Sequence, residues 1–196
     1  TKLLIFNSPN NPTGAVYSEK EVREIGQVCE EAGIFVLSDE IYEKLCYDDE
    51  KPFSIANCSE KMKDLTITVN GVSKTYAMTG WRVGYLAAPE DVASAIDSFQ
   101  SHATSNACSI SQYASLEALS MPEEEIGEMV SVFAKRRELI LSEIAKIDGV
   151  AAVRPSGAFY VMLVVNGVYG KKCHGRMIDG SVAFSDALLE TEKVAV

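Results

Sequence analysis

Short apolar runs alternate along the chain with segments in which apolar residues recur at helical spacing. The runs at 3–6 and 34–38 are continuous, as in strands that are buried on both faces. Between them, residues 18–32 place apolar side chains three or four positions apart. This alternation predicts an α/β layer on a mostly parallel sheet.

The first predicted helix has signals at both ends. Ser18 and Glu21 have the spacing of a capping box, and Gly33 is placed to end the helix in a left-handed conformation. Its apolar face would consist of Val22, Ile25, Cys29 and Ala32. We therefore expect a helix over about 18–32.

The remaining pattern divides the chain near residue 148. Further strands are predicted at 66–69 and 82–87, with helices after Pro89, at 111–119 and at about 122–147. Beyond Gly149 come shorter apolar runs at 150–153 and 159–165 and an amphipathic helix at about 181–192. We expect residues 1–148 to be part of a large domain and residues 149–196 to begin a smaller one.

Composition excludes several classes of protein. The 196 residues are 47% hydrophobic and 23% charged, which is typical of a globular protein. A net charge of −10 with scattered Lys and Arg argues against a nucleic-acid surface. No apolar segment approaches the roughly 20 residues of a membrane span, and the start lacks the features of a signal peptide. We expect a cytoplasmic protein without membrane or nucleic-acid partners.

The cysteines and the chain ends add two expectations. Five cysteines at irregular spacings, without a C-x-x-C pair, favour reduced thiols over a disulfide framework or a zinc site. The chain starts without methionine and ends on the apolar residues 194–196, which suggests a piece of a longer polypeptide.

The segment SPNNPTG, residues 8–14, follows the first strand and is unusually stiff. Its two prolines each restrict φ, and its glycine permits a sharp reversal. An ordinary turn would explain such a cluster. A loop that holds a functional side chain is the alternative, and the rest of the sequence has to decide between them.

Polar side chains cluster where the predicted strands end, which is where parallel α/β sheets bind ligands. Each has an ordinary structural explanation when taken alone, as a cap, as packing or as a solvated charge. Together they offer an amide, a carboxylate, a phenol, an amine and a guanidinium, which is the inventory needed for an aromatic aldehyde cofactor with a phosphate. They are Asn11, Asp39, Tyr42, Ser73, Lys74 and Arg82.

The motifs NNPTG, SDEIY, SK followed by TGWRVGY, and RPSGAFY occur in that order. This series resembles the large domain of the fold-type I pyridoxal-phosphate-dependent aminotransferases, class I/II, in the branch of the bacterial aspartate aminotransferases. The resemblance covers about residues 3–165 and continues more weakly to the end. It implies a three-layer αβα domain with a mostly parallel sheet, and the beginning of a smaller α+β domain.

The resemblance also implies roles for the clustered residues. Lys74 would form the Schiff base with pyridoxal 5′-phosphate and shuttle the substrate proton. Asp39 would face the pyridine nitrogen, whereas Asn11 and Tyr42 would contact the 3-oxygen. Arg82 would hold the phosphate.

Three further points qualify these roles. Gly71 stands where many relatives have a phosphate-binding serine, so Ser73 is the candidate for that contact and Gly71 would let the backbone approach the phosphate. Asn11-Pro12 is a candidate cis peptide bond. Arg154 is expected to be structural. The family's arginine for the substrate carboxylate and the aromatic residue stacked on the cofactor are expected to lie outside this chain.

The resulting hypothesis is transamination between an amino acid and a 2-oxo acid, with aspartate as the candidate substrate and a homodimer as the full-length form. A pyridoxal-phosphate-dependent carbon–sulfur lyase would use the same cofactor residues. A third alternative is a non-catalytic structural fragment that binds cofactor poorly.

Overall fold

The computed structural model describes residues 1–196, and its centre is a four-stranded sheet in the order β1-β2-β3-β4. The strands are β1 (Leu3–Asn7), β2 (Phe35–Asp39), β3 (Thr66–Gly71) and β4 (Gly84–Ala87). The first three are parallel, and β4 pairs antiparallel with β3. The predicted mostly parallel sheet is confirmed.

Six helices accompany this sheet, and five of them were predicted with small differences at their ends. They are α1 (Glu19–Ala32), α2 (Glu60–Leu65), α3 (Glu90–Ala103), α4 (Ser109–Ala118), α5 (Glu123–Ile144) and α6 (Ser181–Ala187). A π-helical turn, Leu188–Glu192, continues α6 to the predicted end of that helix. No helix has both the length and the apolar character that crossing a bilayer requires.

The predicted capping box of α1 is present. The Ser18 side chain accepts from the Glu21 amide, and the Glu21 carboxylate accepts from the Ser18 amide at 2.9 Å. Gly33 ends the helix at a φ of 62°. Local signals therefore set both ends of α1.

Helix α2 was not predicted, because its six residues include only two apolar side chains. Ser59 caps it by accepting from the Met62 amide at 3.0 Å, and Met62 is fully buried. A single anchored residue holds this short helix in place, which is a tertiary effect that periodicity does not show.

Helices α1 and α2 cover one face of the sheet. The largest apolar cluster joins residues of both helices to alternate residues of β1 and β2, together with Ile55: Phe6, Val22, Cys29, Val36, Ile55 and Met62. The intervening side chains of β1 point to the other face, where Ile5 is 71% exposed. This alternation fixes the register of the sheet.

Two small antiparallel sheets follow α5. They consist of β5 (Ala151–Val153) with β6 (Met162–Val164), and of β7 (Lys172–Cys173) with β8 (Arg176–Met177). The apolar run over 159–165 forms a strand only at Met162–Val164, and Phe159 packs against Phe133 and Tyr42 instead of joining the ladder. The second hairpin was not predicted. The domain boundary near residue 148 stays a prediction.

A buried arginine ties α5 to the segment that follows β5. Arg137 is only 5% exposed, donates to the Pro155 carbonyl at 2.9 Å and pairs with Asp48 at 2.8 Å. Arg154 joins this network through Glu138 at 2.7 Å. Arg154 thus makes the structural contacts expected of it.

Candidate active site

The carboxyl ends of β1, β2 and β3 meet at one edge of the sheet. Asn7, the last residue of β1, is in register with Asp39, the last residue of β2, and Asp39 is in register with Val69 of β3. The loops that leave these ends begin at residues 8, 40 and 72. They carry all the predicted site residues except Asp39, which lies in the strand itself.

The SPNNPTG loop is held from within by side chains of asparagine. Asn7 accepts from the Asn11 amide at 2.9 Å and donates to the Asp39 carbonyl at 3.0 Å. Asn10 accepts from the Thr13 hydroxyl at 2.7 Å. The Asn11-Pro12 bond is cis, as expected, and so is Ser8-Pro9, which was not predicted.

A second loop holds SPNNPTG from outside. The carbonyl of Gly14 accepts from the amides of Ser156 and Gly157 at 2.9 and 2.8 Å, and the Gly14 amide donates to Asn10 at 2.8 Å. Gly14 has a φ of 69° and lies against Pro155. The stiffness of the loop therefore serves a docking contact between segments that are about 140 residues apart, besides placing Asn11.

The two adjacent acidic residues at the end of β2 have separate partners. Asp39 accepts from the Ile41 amide at 3.2 Å, which orients its carboxylate. Glu40 accepts from Ser38 at 2.9 Å and from Ser54 at 2.6 Å. Burial raises the pKa of Glu40, although both serine hydroxyls oppose this. Glu40 thus braces the loop after β2, and Asp39 is the carboxylate left at the strand end.

Tyr42 is the buried phenol of the site. It is 3% exposed, and its hydroxyl lies 2.9 Å from that of Tyr160. Burial, and then the Tyr160 hydroxyl, raise the pKa of Tyr42, whereas the Asn11 amide acts in the opposite direction and Asp39 adds to the rise. Tyr42 is therefore a neutral phenol near pH 7, with one hydrogen to donate.

Lys74 lies three residues beyond β3 and is half-buried. Its Nζ atom lies 5.8 Å from the centre of the Tyr42 ring and 5.4 Å from that of Phe159. It takes part in none of the ion pairs of the chain. The amine is thus flanked by two aromatic rings and forms no ion pair with a carboxylate.

Arg82 differs from its prediction. It was expected to begin a strand, but it follows the helical turn Thr79–Trp81 in the left-handed region at a φ of 55°, and β4 starts only at Gly84. The reversal between β3 and β4 takes up residues 79–82, so Arg82 belongs to the turn. Its guanidinium is exposed and donates to the Thr79 carbonyl at 3.0 Å, and Thr79 donates to the Ser73 carbonyl at 2.9 Å.

The structure thus brings Asn11, Asp39 and Lys74 together around Tyr42. Ser73 adjoins Lys74 in sequence, and Arg82 is linked to Ser73 through Thr79. Arg82 makes no direct contact with the other predicted residues. The loop between β3 and β4, however, carries both the Lys74 amine and the Arg82 guanidinium.

Gly71 has a local explanation that the sequence did not show. A Cβ atom there would lie 3.0 Å from the Val83 carbonyl oxygen and 3.2 Å from both the Gly84 Cα and the Ile41 side chain. A serine at this position would therefore require β4 or Ile41 to move. Close packing of the protein onto Gly71 accounts for the glycine without any phosphate.

Two residues of the site were missed from the sequence. Phe159 and Tyr160 both belong to the RPSGAFY motif, but neither was assigned a role. Phe159 meets Tyr42 edge to face, with ring centres 5.5 Å apart, and Tyr160 contacts the Tyr42 hydroxyl. The sequence separation of 118 residues left no local pattern to indicate this pairing.

Comparison with known proteins identifies the family of the chain. The family model described as aminotransferase class I and II matches residues 1–196. A probable aspartate/prephenate aminotransferase of Aquifex aeolicus is 46% identical over 100% of the chain and 49% of its own length.

Two solved structures extend the comparison. The aspartate aminotransferase of Rhizobium meliloti superposes with a TM-score of 0.94 at 40% identity, over 100% of this chain and 49% of that one. An aromatic aminotransferase of Pyrococcus horikoshii gives a TM-score of 0.86 at 38% identity, over 100% and 50%.

These matches define the class first: the fold is that of the αβα large domain of pyridoxal-phosphate-dependent transferases, as predicted. The chain belongs to the class I and II aminotransferases, a family of enzymes. It spans about half the length of the relatives that it matches.

Proposed function

We propose that this chain takes part in the transfer of an amino group between an amino acid and a 2-oxo acid, with pyridoxal 5′-phosphate held covalently at Lys74. The observation that carries the proposal is the arrangement around Lys74. Its amine faces Tyr42 and Phe159. Asp39 ends the strand that leads to Tyr42, and the side chains of Asn11 and Asp39 both shift the pKa of Tyr42.

The residues present fit this cofactor. An aromatic aldehyde with a ring nitrogen, a 3-oxygen and a phosphate needs an amine, a carboxylate, neutral donors and a cation. The carboxyl ends of β1, β2 and β3 supply the first three kinds of group, and the loop between β3 and β4 supplies the cation. When bound, the cofactor supplies a ring that withdraws the electrons left as the α-proton departs.

Three side chains would tune the ring. Asp39, oriented by the Ile41 amide, would hold a proton on the ring nitrogen. Tyr42 would donate its hydrogen to the 3-oxygen, beside the amide of Asn11. Because Tyr42 is buried and neutral, its donation does not compete with solvent.

The remaining side chains would bind the phosphate and move the proton. Arg82 would place its planar guanidinium on the phosphate, with Ser73 as a second donor. Once the substrate amine has replaced Lys74 on the cofactor, the freed Lys74 amine would move the proton from the substrate α-carbon to the cofactor C4′ carbon.

For the substrate we propose aspartate, which is named in several similar proteins. The neighbour from Pyrococcus horikoshii, named an aromatic aminotransferase, makes an aromatic amino acid the second candidate. The homodimer, the cytoplasmic location and the division near residue 148 stay predictions.

The test measures both products of transamination in the longest natural polypeptide that contains residues 1–196. With pyridoxal phosphate, L-aspartate and 2-oxoglutarate, we expect glutamate and oxaloacetate in equal amounts. Without 2-oxoglutarate, we expect at most one equivalent of oxaloacetate per protein chain and no glutamate. The Lys74→Ala variant should lose this activity at least about 10³-fold, because no other amine is placed to move the proton.

The lyase alternative makes a different prediction for the same protein. A cysteine S-conjugate would yield pyruvate, ammonia and a thiol continuously, with no 2-oxo acid present. Turnover of this kind, without transfer to 2-oxoglutarate, would contradict the proposed aminotransferase. A protein that retains no cofactor at all would support the structural-fragment alternative instead.

A further inference from the structure

We propose that Tyr160 is a positioning residue that acts through Tyr42, donating its hydroxyl hydrogen to the Tyr42 oxygen so that Tyr42 donates to the cofactor's 3-oxygen. This inference rests on the proposed function. Sequence reasoning assigned Tyr160 no role, and the structure places its hydroxyl 2.9 Å from that of Tyr42.

Counting hydrogens sets the direction of this bond. In the chain by itself, either hydroxyl could be the donor, and the rise in the Tyr42 pKa caused by Tyr160 belongs to the arrangement in which Tyr42 donates. Each phenol has one hydrogen, so a Tyr42 that donates to the cofactor has none left for Tyr160. Tyr160 must then donate and Tyr42 accept. A donor to its oxygen polarises Tyr42 and makes it a stronger donor in turn.

Backbone hydrogen bonds join the segments that carry Tyr42 and Tyr160. The segment that carries Tyr160 is tied to the chain just after Tyr42, where the Tyr47 amide donates to the Ser156 carbonyl at 2.8 Å and the Ala158 amide donates to the Leu45 carbonyl at 2.8 Å. These two backbone bonds hold the backbones of Tyr42 and Tyr160 on one frame.

No other charged group competes for the pair. Asp39 and Lys74 are the charged residues that face Tyr42, and the Asn11 amide is the other polar neighbour of its hydroxyl. The nearby Glu40 binds Ser38 and Ser54, and Glu43 accepts from Asn70 at 2.9 Å. Tyr160 is therefore the neighbour best placed to tune Tyr42.

The test is a pH titration of the visible absorbance band that pyridoxal phosphate forms with the longest natural polypeptide containing this chain. Tyr160→Phe keeps the ring and removes only the hydroxyl. Weaker donation from Tyr42 would leave more negative charge on the 3-oxygen, which would retain the proton on the Nζ atom of Lys74. We expect the titration midpoint to rise by roughly half a pH unit.

A double-mutant cycle separates this role from a structural one. Tyr42→Phe alone should raise the midpoint further than Tyr160→Phe, and adding Tyr160→Phe to it should change nothing more. The matched control is Tyr47→Phe, which loses a hydroxyl that binds the same segment at Ala158 but does not contact Tyr42. Its midpoint should equal that of the unmodified protein.

Three results would overturn the inference while leaving the proposed function intact. They are an unchanged midpoint in Tyr160→Phe, an equal shift in the Tyr42→Phe background, and an equal shift in Tyr47→Phe. Absence of any visible band in the unmodified protein would instead refute the proposed function, and this inference with it.

Discussion

Alanine at position 14 is expected to destabilise the protein by about 2 to 5 kcal/mol. A left-handed φ of 69° costs a residue with a Cβ about 1–2 kcal/mol. The added carbon would also lie 2.2 Å from the Pro155 Cβ and 2.9 Å from the Gly157 oxygen. Relieving that overlap moves backbone and costs about 1–3 kcal/mol more. Urea unfolding measures the sum.

Gly33→Ala is the matched control. Gly33 has a similar φ of 62°, but a Cβ there meets nothing within 4 Å. Gly33→Ala should therefore lower the free energy of unfolding only by the cost of its left-handed φ. The difference in free energy of unfolding between the two variants then isolates the docking of SPNNPTG on the 155–157 segment. Equal destabilisation of both variants would show that this docking contributes nothing.

Asparagine at position 39 is expected to lower kcat for transamination by roughly 10² to 10³-fold, the size of effect that follows loss of one preorganised electrostatic contact. The amide keeps the shape of Asp39, and its oxygen can still accept from Ile41, but it cannot hold a proton on the ring nitrogen. Cofactor content, measured by absorbance, should fall far less than the rate, so kcat is compared at saturating cofactor.

Asp49→Asn controls for the change of net charge. Asp49 is exposed and has a φ of 63°, a conformation that asparagine also tolerates. This variant should retain the full rate. A rate for Asp39→Asn within a few-fold of that control would remove Asp39 from the chemistry.

The features that depend on residues close together in sequence could be predicted. The capping box and the terminal glycine of α1 were recognised because their signals lie within the helix itself. Continuous apolar runs identified β1 and β2, β-branched residues identified β3, and the alternation with helices indicated their parallel order. Once the sheet was known, the rule that ligands bind at strand ends brought together Asn11, Asp39, Tyr42 and Lys74.

The features that escaped prediction depend on contacts between distant segments. Tyr160 reaches Tyr42 only because the 156–158 backbone bonds to residues 45–47. Arg82 adopts a left-handed conformation that its residue type disfavours, because the chain must reverse before Gly84 pairs with Gly71. Gly71 is explained by the approach of β4. None of these contacts joins residues close enough in sequence to give a local pattern.

The central claim is that Lys74 is the residue that binds the cofactor, and borohydride reduction tests it most directly. The longest natural polypeptide containing this chain is incubated with one equivalent of pyridoxal phosphate, reduced, digested and mapped by mass spectrometry. We expect a single modified peptide that contains Lys74, and no modification in Lys74→Ala. Label on other lysines, at the same level in both proteins, would contradict it.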